Sequence, residues 1–297
     1  MIRPFHHAPF PLELLRERKH EPATVVLPTR EVADTIGPIV ERLLSLEGLV
    51  DQVLVVDAAS QDGTADIAAS LGADVRQEAE LLPEFGQVLG KGDAMWRALA
   101  VAEGELIVYL DSDTRDFSPH FATGMLGPLI CEPGLVQFVK GHFRRPYAGP
   151  EGEPGPVDGG RVTELMARPL LSAFYPELGA LVQPLAGEVA ARRSFLDHLP
   201  FATGYAIETS MLLHARDLLG GTDGIAQVDL EERRNHHQPL RALGPMAYSV
   251  LRVILERLRA EGRLTDDHAP PFQTADGQLI QVEIVERPPY ATLRARA

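Results

Sequence analysis

"ELIVYLDSD", residues 105–113, is a short apolar run of β-branched and aromatic side chains that stops at two carboxylates separated by a serine. Such a run reads as a buried strand, and its charged tip as the point where the chain leaves the sheet. The pattern recurs upstream in "ATVVLP" (23–28), stopped by Pro28, and "DQVLVVD" (51–57). Residues 33–46, "ADTIGPIVERLLSL", carry apolar positions at helical spacing. "SQDGTADIAASLGA" (60–73) reads as a turn and a helix ending at Gly72, and "ADVR" (73–76) as a short further strand. "GDAMWRALAVAEG" (92–104) is a well-patterned helix that leads into the opening stretch. Strand and helix therefore alternate across this half, which predicts a parallel sheet with right-handed crossovers. Ligands in such sheets bind beyond the carboxyl ends of the strands. Thr29 to Glu31, Asp57 to Ser60 and Asp111 to Asp113 all fall at those ends.

The second half is less regular. "LVQFVKGHF" (135–143) and "IAQVDLEE" (225–232) read as strands, and 161–175, 204–219 and 240–262 as helices. A Gly/Pro-rich loop, "YAGPEGEPGPVDGG", covers 147–160. The expected division is an arm over 1–22, a nucleotide-sugar-binding α/β half over 23–145, and an acceptor-binding half with a C-terminal extension over 146–297, fused as one domain.

Composition narrows the class. The chain has 297 residues, a formal net charge of −14 and one cysteine, Cys131. The acidic balance argues against nonspecific nucleic-acid binding, which needs basic surface. No apolar run is long enough for a membrane span, and the N-terminus lacks the apolar core of a secretory signal. A lone cysteine fits a reducing cytoplasm. Local basic clusters, "FRRP" (143–146) and "EERRNHH" (231–237), leave room for small phosphorylated ligands.

Asp111-Ser112-Asp113 carries the sharpest chemistry. Alternation along an extended segment puts both carboxylates on one side, where they raise each other's pKa unless a cation intervenes. Mg²⁺ or Mn²⁺, held by carboxylates and substrate phosphates, is one such cation; a solvated turn with helix-start aspartates accounts for the same three residues. Asp57, Ser60 and Asp62 offer acids for a ribose or base, or simply a helix cap. Lys91, between two glycines at a helix start, forms an anion site with the free amides, or lies on a solvated turn. Gly160-Arg161 with Thr163 could grip a phosphate or carboxylate, and Glu208 is either a dipole partner or a functional acid. The run Arg233 to His237 offers a histidine ligand, or an ordinary surface loop.

Taken in order, "VVLP", "GKGDAMWR", "DSD", "QFVKGHFRRP", "GGRVTELMARPLL", "QPLAGE", "LPFATGYAIE" and "AQVDL" resemble the actinobacterial-type glucosyl-3-phosphoglycerate and mannosyl-3-phosphoglycerate synthases, retaining glycosyltransferases with a GT-A fold. The resemblance runs from about residue 23 to 240 by these motifs, with an echo at "ERPP" (286–289). It implies a GT-A-type mixed sheet flanked by helices and a homodimer. Pro28, Thr29, Arg30, Ser60 and Lys91 would lie on an NDP-sugar, Asp111 and Ser112 on its ribose and diphosphate. Asp113 would hold Mg²⁺ or Mn²⁺, Leu185 would meet the reacting sugar through its backbone, and Tyr205 to Glu208 would hold sugar hydroxyls. Gly160, Arg161, Val162 and Thr163, with Arg233 and His237, would bind the phosphoglycerate. Two departures stand out. Glucosyl members usually read Pro-Ala-Leu-Asn-Glu after the first strand, whereas this chain has Pro28-Thr29-Arg30-Glu31-Val32. Glu31 is then the substitute base-reading acid, and guanine is as open as uracil. Members also carry Arg-x-His-x-Asn, here Arg233-Arg234-Asn235-His236-His237. A one-residue shift makes His236 the second metal ligand; without it, Asn235 takes that place.

The activity so implied moves glucose or mannose from GDP or UDP to the 2-hydroxyl of 3-phosphoglycerate, with Asp113, Glu208, Lys91 and Leu185 as catalytic residues. Two rivals remain at this level: a sugar-1-phosphate nucleotidyltransferase, which would need a glycine-rich loop that "LPTREVADT" (27–35) lacks, and a non-catalytic nucleotide-sugar sensor.

Overall fold

The computed structural model describes residues 1–145, 160–234, 239–264, 272–273, 279–281 and 283–294. Eight strands form its central sheet: β1 (Arg3–His6), β2 (Ala23–Thr29), β3 (Gln52–Asp57), β4 (Asp74–Gln77), β5 (Leu106–Tyr109), β6 (Phe138–Arg144), β7 (Val189–Arg192) and, after the two-residue β8 (Phe201–Ala202) outside it, β9 (Ile225–Glu232). Their order is β1-β9-β6-β7-β5-β2-β3-β4. Every neighbouring pair is parallel except those of β7, which runs antiparallel between β5 and β6. β2, β3 and β5 are apolar on both faces. Val25 and Leu27 of β2 pack into one core while Val26 packs into the other, and Val53 and Val55 of β3 alternate with Leu54 and Val56 in the same way. Period-two alternation in a sheet covered on both sides explains why these strands read as continuous apolar runs.

Helices α1 (Leu12–Arg18), α2 (Ala33–Leu44) and α3 (Thr64–Leu71) precede α4 (Lys91–Ala98), which leads to β5. α5 (His120–Cys131) then precedes β6, α6 (Arg168–Phe174) and α7 (Arg193–Leu196) flank β7, and α8 (Ile207–Leu218) and α9 (Leu243–Ala260) follow β8 and β9. One core contains side chains of α4, α8 and α9, the other of α1, α2 and α5.

Three expectations change. The N-terminal arm is no mere arm, because β1 pairs in parallel with β9 as the sheet edge and Leu15 of α1 is fully buried. β7 and α5 escape a pattern-based reading, the first because it is only four residues long and two of them are alanine, a weak strand former, the second because it is buried nearly all round and shows no amphipathic stripe. The helix expected to run to 104 ends at Ala98, where the chain tightens into i→i−3 bonds from Leu99, Ala100 and Val101.

Candidate active site

β5 ends at Tyr109, and Asp111, Ser112 and Asp113 line a cavity of about 780 Å³. Ser112 ties this tip down: its hydroxyl donates to the Pro28 carbonyl at 2.7 Å, and its carbonyl accepts from the Thr35 hydroxyl at 2.7 Å. Glycine lets the neighbouring turn close in. A Cβ on Gly187 would lie 2.2 Å from Asp111 Oδ1, so only a residue without one lets the 185–188 segment sit against the acid. Gly92 acts likewise for α4, since a Cβ there would lie 2.0 Å from the Ala202 carbonyl oxygen. That approach brings Lys91 to the acids.

The mutual repulsion of the two aspartates is relieved by the protein's own cations. Lys91 Nζ donates to Asp111 Oδ1 at 2.6 Å and to Glu208 Oε1 at 3.0 Å. Arg233 Nη1 donates to Asp111 Oδ2 and to Glu188 Oε1, both at 2.8 Å, and its Nη2 donates to Asp113 Oδ1. Burial alone would raise the Asp111 pKa, but Lys91 and Arg233 outweigh it and hold the carboxyl far below the usual range. Burial also works against charge on Lys91 and Arg233, yet the facing carboxylates win and raise both. Glu188 goes the other way: burial lifts its pKa against the pull of Arg233, and its Oε2 has no hydrogen-bond partner among the described residues.

Beneath the cavity, Lys140 is 1 % exposed and donates to the Ala186 carbonyl. Burial lowers its pKa to about 8, against the upward pull of Glu208 and Glu188. Between pH 8 and the ordinary lysine value, about 10.4, the unfolded chain therefore holds a proton that the folded chain has released, so stability rises with pH there. Lys140→Met removes that titration. Denaturant unfolding at pH 7.5 and pH 9.5 should show the wild type gaining stability relative to the variant at the higher pH; a pH-independent difference would contradict the burial argument.

The expected site residues mostly converge. Pro28, Thr29, Arg30, Lys91, Asp111, Ser112, Asp113, Gly160, Arg161, Val162, Thr163, Leu185, Tyr205 and Glu208 all line the one cavity. Three expected contacts lie outside its lining, for identifiable reasons. The Ser60 hydroxyl donates to Asp57 Oδ1 at 2.7 Å and accepts from the Glu31 N–H at 2.9 Å, bracing the loops after β2 and β3. Glu31, at φ +52°, accepts from the Gln61 N–H through its carboxylate. Arg233 is buried below the floor, on the acids rather than on an acceptor. Asn235, His236 and His237 lie outside the described residues.

Sequence reasoning missed Glu188 and Lys140, and took Arg145 only as part of the basic cluster "FRRP" (143–146). Arg145 lines the cavity with its guanidinium over the Phe143 ring, which Arg233 also faces. The available signal was a lone charge inside an apolar run, as in "FVKG" (138–141) and "LAGEVAA" (185–191); such residues survive burial only when paired. The C-terminal "ERPP" also gains a reason. Arg287 forks onto Asp93 of α4 with two bonds of 2.8 Å, and the Pro288 carbonyl accepts from Trp96 Nε1 at 3.1 Å, pinning the helix that carries Lys91.

The donor set suits a hard divalent ion. Asp113 presents a carboxylate that is 43 % exposed at the cavity wall, and Mg²⁺ and Mn²⁺ take oxygen ligands of this kind, one or two from protein and the rest from phosphate and water.

A mostly parallel α/β sheet with paired acids at a strand tip, opening into a cavity this size, is the frame of a nucleotide-sugar transferase, and the family Glycosyl transferase family 2 matches residues 24–130. The glucosyl-3-phosphoglycerate synthase of Petrotoga mobilis is 38 % identical over 98 % of this chain and 94 % of that protein. The one from Mycolicibacterium paratuberculosis is 41 % identical over 92 % and 85 %. The chain belongs to the glucosyl-3-phosphoglycerate synthase family. Among solved structures, mannosyl-3-phosphoglycerate synthase from Rubrobacter xylanophilus superimposes with a TM-score of 0.89 at 46 % identity, covering 98 % of this chain and 97 % of that one. Glucosyl-3-phosphoglycerate synthase from Mycobacterium tuberculosis, in complex with Mn²⁺, UDP-glucose and phosphoglyceric acid, gives 0.85 at 36 % identity and 99 % coverage of both chains.

Proposed function

We propose that this glycosyltransferase moves a hexose from an NDP-sugar to the 2-hydroxyl of 3-phosphoglycerate with retention of anomeric configuration. The observation that carries this reading is the single cavity, in which Lys91, Asp111, Asp113 and Glu208 meet Gly160, Arg161 and Thr163. The first group suits a diphosphate and its sugar; the second offers an arginine and a hydroxyl to a phosphorylated acceptor. Asp113, with His236, would hold Mg²⁺ or Mn²⁺, which when bound supplies positive charge to the departing diphosphate. Lys91 lies within reach of the same charge, and Glu208 with the backbone of Leu185 orients the sugar. The acceptor oxygen bonds to the anomeric carbon as the carbon–phosphate oxygen bond breaks, and the hydroxyl proton passes to the leaving phosphate. Asp111 and Glu208 are both ion-paired to Lys91, which disfavours either as a covalent nucleophile and supports direct attack by the acceptor from the face that the diphosphate leaves.

Among the described residues no helix is long and apolar enough to cross a membrane. In this reading the enzyme works in the cytoplasm, as a homodimer. A donor panel tests the activity: UDP- and GDP-linked glucose and mannose with 3-phosphoglycerate, with and without chelator. The expected result is hexosyl-3-phosphoglycerate from more than one donor and none with chelator. Nucleotide-sugar binding without product would favour a sensor, and release of pyrophosphate from nucleoside triphosphate and sugar-1-phosphate a nucleotidyltransferase.

A further inference from the structure

The acids of the floor are already matched before any ligand enters. Four carboxylates, Asp111, Asp113, Glu188 and Glu208, face four basic side chains, Lys91, Lys140, Arg145 and Arg233. Arg233 is the centre of this set. Its side chain is fully buried, one terminal nitrogen bridges Asp111 and Glu188, and the other holds an oxygen of Asp113, the acid on the cavity wall. Its backbone N–H donates to the Arg144 carbonyl at 3.0 Å, and the Arg234 carbonyl accepts from Arg115 N–H at 3.0 Å, so the strand end carrying it is tied to the Asp111–Asp113 loop.

Two consequences follow from charge alone. A bare divalent ion at Asp113 would compete with a guanidinium for the same carboxylate and add two positive charges to a balanced, partly desolvated cluster, where like charges repel strongly. A nucleoside diphosphate in the cavity brings compensating negative charge close above this cluster.

We propose that Arg233 is a resident cation that withholds Asp113 from a divalent ion until a nucleoside diphosphate arrives, so that metal and nucleotide enter as a charge-compensated pair. The inference rests on the reading of this cavity as a metal and nucleotide site. Arg233 therefore makes metal binding and nucleotide binding strongly and reciprocally coupled. Without it, the acids are open to the ion alone.

The test is binding of Mn²⁺ to free enzyme, followed by the electron paramagnetic resonance of unbound Mn²⁺, with and without UDP or GDP. Arg233→Met should bind bare Mn²⁺ at least tenfold more tightly than wild type, and the added tightening on nucleotide addition should shrink by a similar factor. Arg233→Lys, which keeps the charge, should stay near wild type. Because Arg233→Met leaves Glu188 buried and unpaired, Arg233→Met/Glu188→Gln is measured beside it, with circular dichroism as the check on folding. A gain in metal affinity is a result that simple structural damage does not produce. Folded variants that bind bare Mn²⁺ no more tightly than wild type would overturn the role of Arg233 alone. A wild type that binds no Mn²⁺ even with nucleotide would overturn the underlying reading of the site.

Discussion

Asp113→Ala should lower turnover by about 10²–10³-fold, the loss seen when one preorganised electrostatic contact is removed from a transition state. The proposed role of Asp113 puts its full contribution on the departing diphosphate, where charge grows as the glycosidic bond breaks. Stability should fall only modestly. The side chain is 43 % exposed and supports no core packing, while Arg233 keeps its bonds to Asp111 and Glu188. Taking one of three carboxylates from the buried guanidinium should cost about 1–3 kcal/mol, the penalty of a buried donor left without its partner. Steady-state rates at saturating acceptor and Mn²⁺, read beside thermal melts, separate the two effects. Turnover close to wild type in the folded variant would remove Asp113 from the mechanism.

Asp93→Ala should have the opposite signature: a large loss of stability from a residue that touches no substrate. Asp93 is fully buried and accepts two 2.8 Å bonds from Arg287, one of 2.9 Å from the Leu89 N–H, and longer ones from Arg97. Burial by itself would raise its pKa, but these donors prevail and hold it below the ordinary value. Truncating the acid leaves two buried guanidiniums without their shared counter-charge. Removing one partner of a buried pair costs about 3–5 kcal/mol, and for a chain of this size that is a melting-point drop on the order of 10 °C. Activity should fall as well, because Asp93 lies two residues from Lys91 and anchors the C-terminal clamp on α4. Arg287→Ala should reproduce most of the stability loss, since it breaks the same pair from the other side. A melting point within 2–3 °C of wild type for both variants, roughly the shift of a 1 kcal/mol change, would show that the cluster is not a structural anchor.

The particular residues show how legibility divides. Alternating strand and helix patterns through Asp113 sufficed for the parallel half, because each buried strand announces itself by a local apolar run bounded by turn residues. The cavity-lining set from Pro28 to Glu208 was legible because those residues sit at strand tips and helix starts, where chain geometry alone points polar groups away from the core. Ser60 and Glu31, also at strand tips, brace the neighbouring loops. A hydroxyl or carboxylate at a strand tip can serve a ligand or brace the neighbouring loop, and local sequence does not distinguish the two. β7 was missed because its antiparallel place between β5 and β6 is a long-range pairing, and the strand itself is only four residues long with two alanines.

What the linear chain determined by itself is the alternation, the polar tips and the acidic pair, all set by the periodicity of one segment at a time. What only the tertiary structure decided is which charge answers which. Arg233 reaches Asp111 and Asp113 across about 120 residues of chain, Arg287 reaches Asp93 across nearly 200, and Glu188, Lys140 and Arg145 join them from other strands and loops. Coulomb attraction in a desolvated interior depends on distance in space, which folding sets and sequence separation does not.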